Sequence, residues 1–239
     1  MKLLEHEARG IFEKAGIPHP RGFLIHSPGE LKARIGELGE RCVLKAQVDV
    51  GGRGKSGGIL VADKKNAEQM AAELFKREIK GVPVREILVV ECLEIAREYY
   101  ASIAIDRSTK QALILFTDQG GVDIETLARE RPDAVRKASI PLLMHDIPPF
   151  MIRDLLQSAP KEIGKILNQL YRVFCEKDAL LAEINPLVQT PSGIYAADAK
   201  LIIDDNALAR QGISYNRDLT EREREAEKHG FSYVELKGE

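Results

Sequence analysis

The order of apolar and polar residues along the chain predicts helices and strands in alternation. Apolar residues recur at helical spacing over residues 2–15 and stop before Gly16, which predicts an amphipathic first helix. Ser27 and Glu30 flank the start of a second helix with a capping-box pattern, and this helix is expected over residues 27–38. The first half of the chain is therefore expected to mix helices and strands.

Shorter apolar runs predict strands further along the chain. The expected strands cover residues 41–48, 58–62, 85–93, 99–107 and 111–117, and residues 179–204 are expected to form a pair of strands. The expected helices cover residues 66–79, 124–127, 148–157 and 160–177, followed by a charged closing helix capped by Thr220 with Glu223 and stopped by Gly230. An apolar stripe over residues 163–174 is typical of core packing.

Composition narrows the class of protein. With 239 residues of which 44% are hydrophobic, the chain can build a proper core. The net charge is only -2, from 35 basic and 37 acidic residues, so no overall field favours nucleic acid or an anionic membrane. An anionic ligand must then be met by a local cluster. The three widely spaced cysteines indicate reduced thiols, and the absence of a long apolar run favours a soluble intracellular protein.

A glycine-rich segment follows the expected strand that carries Lys45. Residues 50–58 contain five glycines together with Arg53, Lys55 and Ser56. Backbone N–H groups in such a loop can approach phosphate oxygens closely, while the basic side chains supply positive charge. The spacing fits neither GxxxxGK[ST] nor GxGxxG, so it indicates neither a Walker nor a Rossmann site. This pattern is compatible with two interpretations, a loop that covers a phosphate group and a flexible hairpin tip.

Two expected strands near residue 190 carry oxygen ligands. Alternation places Glu183 and Asn185 on one face of the first strand. Asp198 and Lys200 likewise share one face of the second, and a turn centred just after Pro191 would set residue 185 directly opposite residue 198. An amide oxygen and a carboxylate, completed by phosphates and water, suit Mg²⁺. The alternative is the polar outer face of an ordinary hairpin.

A third pattern is a carboxylate at the end of an apolar strand. Glu91 follows Val90 at the end of such a run, and Glu98 lies seven residues further on. Backbone groups at a strand end can hold adenine, and a nearby carboxylate can accept hydrogen bonds from ribose hydroxyls. An acid at a strand end is more often only solvated, so this pattern indicates little by itself.

Five segments resemble, in this order, the β subunit of succinyl-CoA synthetase and its relatives. They are KAQVDVGGRGKSGG, VVECLEIAREYY, DQGGVDIE, LAEINPL and ADAKLIIDDNA. The resemblance runs from the N-terminal helix to about Leu236, and the combination of GGRGK with EINPL and a later DAK is very specific. It implies an α/β (α+β) fold of the two-lobed ATP-grasp type, with nucleotide held between the lobes.

The resemblance also implies a role for each candidate residue. The expected phosphate contacts are Lys45, Gly52, Arg53 and Gly54, the adenine and ribose contacts are Val90, Glu91 and Glu98, and the Mg²⁺ ligands are Asn185 and Asp198. Glu183 matches the family's glutamate that steadies a phosphohistidine carried by a partner α subunit, which also holds the CoA site. None of the five histidines of this chain lies in a motif for that carrier.

The resemblance also implies the domain boundaries of this chain. It implies a small lobe over residues 20–95, a large lobe over residues 1–19 plus 96–225, and a linker over residues 226–239 toward a C-terminal CoA-ligase domain that this sequence lacks. The expected reaction joins a carboxylate to CoA with hydrolysis of a nucleoside triphosphate. The chain is not expected to form the thioester without its partner and that domain. A cytoplasmic location is expected, or the mitochondrial matrix in a eukaryote.

Several alternatives stay open at this point. The acid could be malate or citrate, because the acid is bound largely outside this chain. A non-catalytic regulatory module would keep the fold, although it would be expected to have lost some of the candidate residues. Pro20 lies where ATP-preferring relatives tend to have proline, so ATP and ADP are the expected nucleotides and GTP is possible.

Overall fold

The computed structural model describes residues 1–50, 52–213 and 221–231. Within them the α-helices are α1 (Glu5–Lys14), α2 (Pro28–Arg34), α3 (Ala67–Phe75), α4 (Ile124–Glu130), α5 (Pro149–Leu156), α6 (Glu162–Glu176), α7 (Leu208–Gln211) and α8 (Glu221–Lys228). The strands are β1 (Gly22–Ile25), β2 (Arg41–Ala46), β3 (Ile59–Asp63), β4 (Glu78–Ile79), β5 (Val82–Pro83), β6 (Ile87–Glu91), β7 (Arg97–Asp106), β8 (Gln111–Thr117), β9 (Arg136–Ile140), β10 (Ala179–Thr190), β11 (Gly193–Ala196) and β12 (Lys200–Ile203).

Most of these strands belong to two antiparallel sheets. The first has the order β1-β6-β2-β3, and the second has the order β11-β10-β7-β8-β9 with β12 paired to β10. The strands of the first sheet lie between residues 22 and 91, and those of the second between residues 97 and 203. Because the described strand pairs are antiparallel, the fold is of the α+β kind.

Each sheet has its own apolar core. Helices α2 and α3 cover the smaller sheet, where Leu31 and Leu74 are fully buried. Helices α1, α5 and α6 contribute to the core of the larger sheet, which includes Phe12 and Leu170. The apolar stripe expected over residues 163–174 lies buried along α6, so this prediction is confirmed.

The first helix begins three residues later than expected. The N–H of Leu3 donates to the carbonyl of Leu201, and Lys2 pairs with Ile202, so the chain enters the molecule as an extended segment beside β12. Helix α1 then runs to Lys14, and Gly16 adopts a left-handed φ of 85° just beyond it. The glycine stop is confirmed, because this backbone conformation is easy only without a side chain.

Two further helix predictions need correction. The helix expected over residues 66–79 ends at Phe75, because β4 pairs with β5 in a short hairpin whose tip, Lys80 and Gly81, has φ values of 53° and 82°. Helix α2 ends at Arg34 and continues only as a 3-10 turn. The hydroxyl of Ser27 makes no capping bond, because it donates instead to a carboxylate oxygen of Glu30.

The segment over residues 179–204 contains three strands rather than the expected pair. Strand β10 pairs with β11 and then with β12, with Leu187 opposite Ala196 and Glu183 opposite Lys200. Continued between these two pairs, the same register would set residue 185 opposite residue 198, as expected. The strand pairing is interrupted at that position. Strand β9 was not predicted, because its sequence RKASI is short and carries two basic residues.

The closing helix α8 ends at Lys228, and Gly230 follows it with a left-handed φ of 70°. The expected cap at Thr220 lies outside the described residues. Over the part of the chain that the structure describes, no helix is both long enough and apolar enough to cross a bilayer.

Candidate functional site

A cavity of about 600 Å³ lies between the two sheets. The end of β2, the glycine-rich segment, the end of β6, the middle of β10 and the segment between β11 and β12 contribute to its wall. The candidate residues in that wall are Lys45, Gly52, Arg53, Gly54, Val90, Glu91, Glu183, Asn185 and Asp198. The structure therefore brings together residues of all three patterns, which lie far apart in the sequence between Lys45 and Asp198.

Residues 52–58 of the glycine-rich segment form a compact turn. The N–H of Ser56 donates to the carbonyl of Arg53 over 3.1 Å, and the N–H of Gly58 donates to the same carbonyl over 2.8 Å. Arg77 adds a bond of 3.2 Å from its guanidinium to the carbonyl of Gly57. Gly52 has a φ of 73°, a conformation that suits glycine. These bonds argue against a freely flexible hairpin tip.

Lys45 and Arg53 share one buried carboxylate that the sequence patterns did not single out. The ammonium of Lys45 lies 2.6 Å from Glu5 Oε1, and it also donates to the carbonyl of Ala197. The guanidinium of Arg53 lies 2.8 Å from Glu5 Oε2 as an ion pair. Burial opposes ionisation of Glu5, but the charges of Lys45 and Arg53 outweigh it and hold the pKa of Glu5 below its ordinary value.

Asp198 forms the other side of this charge cluster. Its Oδ1 lies 3.2 Å from Arg53 and accepts a 2.8 Å bond from the N–H of Ala199. Burial raises the pKa of Asp198 to about 6, and the negative charge of Glu5 adds to the rise, although Lys45 and Arg53 oppose it. A cation bound beside Asp198 would favour the ionised form and reverse this effect.

Asn185 presents its amide in a fixed orientation. Its Oδ1 accepts a 2.8 Å bond from the N–H of Gly121, and its Nδ2 donates over 3.0 Å to the carbonyl of Val122. The amide oxygen keeps a second lone pair for a ligand. In the described part of the chain, no group of three or more His, Cys, Asp or Glu side chains could hold a metal ion. An amide oxygen and a carboxylate, such as those of Asn185 and Asp198, are groups that Mg²⁺ accepts together with phosphates and water.

Glu183 lies in the same wall, one alternation step from Asn185 on β10. Its Oε2 is 3.5 Å from the ammonium of Lys200 and 3.4 Å from the hydroxyl of Tyr100. Burial and the adjacent charge of Glu183 raise the pKa of Tyr100 above its ordinary value, so this hydroxyl stays protonated and donates.

The two acids assigned to the adenine and ribose side occupy different places. Glu91 lines the cavity beside Val90, and its carboxylate accepts from the backbone N–H of Arg21 over 2.9 Å and pairs with the guanidinium of Arg21 over 3.0 Å. Glu98 is not among the lining residues, but its Oε2 adjoins the lining residue Gly121, where an added Cβ would come within 2.4 Å of it. Nearby apolar side chains, including Val61 and Ile95, complete this end of the cavity.

Glu5 was not among the predicted site residues, although its place on the apolar side of α1 could have indicated it. Glu5, Ala8 and Phe12 have helical spacing, and all three are buried on the same side of α1. An acid in line with the apolar stripe of an amphipathic helix must find a partner when it is buried. The partners lie 40 and 48 residues further along the chain, and no local pattern identifies them.

Comparison with known proteins identifies the family. The sequence profile of the ATP-grasp domain matches residues 2–189. The chain belongs to the ATP-grasp domain family. Among the curated relatives of this ATP-grasp chain, the β subunit of the ADP-forming succinate–CoA ligase from Methanocaldococcus jannaschii is 45% identical over 247 residues. The β subunit of the GDP-forming succinate–CoA ligase from Thermus thermophilus is 42% identical over 249 residues. Each match covers 100% of this chain and 66% of the relative.

Solved structures show the same ATP-grasp fold. The dinucleotide-forming acetyl-coenzyme A synthetase 1 of Ca. Korarchaeum cryptofilum, in complex with coenzyme A and Ca-AMPCP, aligns with a TM-score of 0.71 and 22% identity over 85% of this chain and 93% of its own. The ATP citrate lyase of Methanothrix soehngenii aligns with a TM-score of 0.66 and 20% identity over 95% of this chain and 59% of its own. At these identities the likeness shows the fold alone.

Proposed function

We propose that this chain is the nucleotide-binding part of an acyl-CoA synthetase of the succinate–CoA ligase type. It binds Mg-ATP and transfers the terminal phosphoryl group to or from a histidine of a partner α subunit. The observation that carries the proposal is the cavity, whose wall combines two phosphate-binding cations, Lys45 and Arg53, with two cation ligands, Asn185 and Asp198. The 40–45% identity to β subunits of succinate–CoA ligases supports the reaction type.

In this proposal each group has a defined task. The N–H donors of Lys45, Arg53 and the backbone at Gly52 bind phosphate oxygens and orient the triphosphate. Asn185 and Asp198 hold the Mg²⁺ ion, which neutralises charge on the phosphates when it is bound. The bond between the γ-phosphorus and its bridging oxygen breaks, a bond to an imidazole nitrogen of the partner forms, and ADP leaves. Glu183 steadies the phosphorylated imidazole by accepting its N–H.

The base and ribose belong at the other end of the cavity. We assign them to Val90, Glu91 and Glu98, and the nucleotide is ATP rather than GTP. Curated relatives include both ADP-forming and GDP-forming enzymes, and the unfolding experiment below distinguishes the two nucleotides. The same proposal includes the lobe boundaries, with a small lobe at residues 20–95 and a large lobe at residues 1–19 plus 96–225, and a linker over residues 226–239. It also includes a partner α subunit that holds the CoA site, and a cytoplasmic location.

The first test is a thermal unfolding experiment with ATP, ADP, GTP and GDP, each with and without Mg²⁺. A ligand that binds only the folded chain stabilises it by about 2.7 kcal/mol when its concentration is 100 times its dissociation constant. We expect a magnesium-dependent shift with ATP that is lost in Asp198→Ala. Asp133→Ala, which removes an exposed acid from a 3-10 turn, should keep the shift. A chain that shows no shift with any of the four nucleotides would contradict the proposal.

A second experiment asks whether the site transfers phosphate. The chain is mixed with a succinate–CoA ligase α subunit and ATP labelled in its γ-phosphate, and label on the α subunit is measured. We expect labelling that disappears in Asp198→Ala. Binding of nucleotide without any labelling would favour the regulatory alternative.

A further inference from the structure

Glu5 is a charged side chain at the cavity to which the proposed function gives no task. It begins α1 and is only 5% exposed, which is unusual for a carboxylate. The helix that carries it is held firmly, because Ala8 and Phe12 on the same side of α1 are fully buried in the core of the larger sheet. The carboxylate therefore has a fixed position relative to that sheet.

Both cations that Glu5 contacts come from the region of the smaller sheet. Lys45 is in β2 and its ammonium lies 2.6 Å from Glu5, while Arg53 is in the glycine-rich segment and its guanidinium lies 2.8 Å away. Arg53 also donates over 3.2 Å to the carbonyl of Ala46. Glu5 thus joins the end of β2 and the glycine-rich segment to a helix of the other core.

Glu5 leaves both cations able to bind a ligand. An ammonium has three N–H donors, and in the described residues Lys45 uses one for Glu5 and one for the carbonyl of Ala197. A guanidinium has five N–H donors, and the ion pair of Arg53 with Glu5 and its hydrogen bonds to Ala46 and Asp198 do not use them all.

We propose that Glu5 is a positioning residue of the phosphate site. Its carboxylate orients the side chains of Lys45 and Arg53 toward the cavity and, through Arg53, holds the glycine-rich segment against α1. The inference takes the identity of the ligand from the proposed function. The fastening of Arg53, however, is a property of the free chain and can be measured without any nucleotide.

The test uses trypsin, which must take the guanidinium of Arg53 into its own pocket to cleave the bond between Arg53 and Gly54. Glu5→Gln keeps the shape and one acceptor but removes the charge, so it should release Arg53. Glu7→Gln is the matched control, since Glu7 is an exposed glutamate of the same helix whose carboxylate accepts from the backbone N–H of Leu4. The cleavage rate is followed by mass spectrometry, and Mg-ATP affinity is measured by calorimetry on the same samples.

We expect cleavage after Arg53 to be about tenfold faster in Glu5→Gln than in the wild type or Glu7→Gln, because charged hydrogen bonds of this kind contribute roughly a factor of ten or more. Mg-ATP affinity should fall by a similar factor. An unchanged cleavage rate, or faster cleavage with unchanged affinity in a chain that binds ATP, would overturn the inference. Faster cleavage in a chain that binds no nucleotide would uphold the fastening role and reject the proposed function instead.

A second variant covers the case in which Glu5→Gln does not fold. Glu5→Asp keeps the charge and shortens the side chain by one methylene, so it cannot reach both cations at their present distances. Folding of both variants is checked by circular dichroism. We expect Glu5→Asp to be cleaved after Arg53 at a rate between those of the wild type and Glu5→Gln, and a rate equal to the wild type would reject the positioning role.

Discussion

At the scale of single residues, the charges around the cavity balance. Among the residues that the structure describes, five basic and five acidic side chains line it: Lys2, Lys45, Arg53, Lys55 and Lys200 against Glu5, Glu91, Asp123, Glu183 and Asp198. The cavity therefore provides oriented donors but no excess of positive charge for a triphosphate. A divalent cation held by Asn185 and Asp198 would supply the missing charge, which is the physical reason to expect nucleotide binding to depend on Mg²⁺.

A buried histidine gives a pH prediction. His19 donates from Nδ1 to the carbonyl of Ile17 over 2.9 Å, and burial lowers the pKa of His19 from 6.5 to about 4. Between pH 6.5 and about 4, His19 is protonated in the unfolded chain but neutral in the folded chain. The free energy of unfolding that this histidine contributes is therefore fully present above pH 6.5 and is lost as the pH falls toward 4. Thermal unfolding should show a smaller loss over this range in His19→Asn, which keeps a donor near Nδ1. The same loss in both proteins would contradict the assignment.

At the scale of elements, local signals located most of the helices and strands. Gly16 and Gly230 end their helices with positive φ values, and the strand expected over residues 111–117 is found at those residues. The predictions failed where a partner element decided the conformation. The β4–β5 hairpin replaces the end of a helix, and β9 is a strand because its backbone completes the edge of β8. Neither pairing can be read from the periodicity of the segment itself.

A pair of glycines tests how tightly the smaller sheet is built. A Cβ on Gly22 would lie 2.4 Å from the carbonyl oxygen of Val89 on the paired strand β6, whereas a Cβ on Gly29 in α2 would meet nothing within 4 Å. We expect Gly22→Ala to lower the free energy of unfolding by about 1–3 kcal/mol, because β6 must shift. Gly29→Ala should raise it by up to about 1 kcal/mol through helix propensity. Urea denaturation measures both, and equal effects would contradict the strand pairing described here.

At the scale of the whole molecule, a buried charge cluster links the two cores. Glu5 comes from α1, Lys45 and Arg53 from the smaller sheet and its loop, and Asp198 from the segment that follows β11. The cluster also forms part of the cavity wall, so the contact that joins the cores and the proposed phosphate site are the same set of side chains. Stability and ligand binding should therefore change together when this cluster is altered.

Removing one cation from the cluster should destabilise the whole chain. Lys45→Met leaves the buried carboxylate of Glu5 with one partner fewer, and the expected loss in free energy of unfolding is about 3–5 kcal/mol. Lys200→Met is the control, since Lys200 is 41% exposed and its pair with Glu183 is expected to contribute no more than about 1 kcal/mol. Both values come from urea denaturation. If the two variants lose the same stability, the buried cluster does not link the cores as described.

The sequence by itself determined the family, the principal motifs and much of the secondary structure. Helical spacing, alternation in strands and glycine stops are properties of neighbouring residues, and the turn after Pro191 set the register that places residue 185 opposite residue 198. These features could be predicted because the interactions that produce them act within a few residues or across one hairpin.

Only the tertiary structure decided how the candidate residues meet. It placed the carboxylate of Glu5 between Lys45 and Arg53, brought Arg53 to Asp198 across 145 residues of chain, and set Glu98 beside Gly121. Each outcome depends on how two separately built sheets pack against each other. Buried ion pairs between residues so far apart produce no periodic pattern in the sequence. Such a pair needs only two oppositely charged side chains that the fold brings into contact.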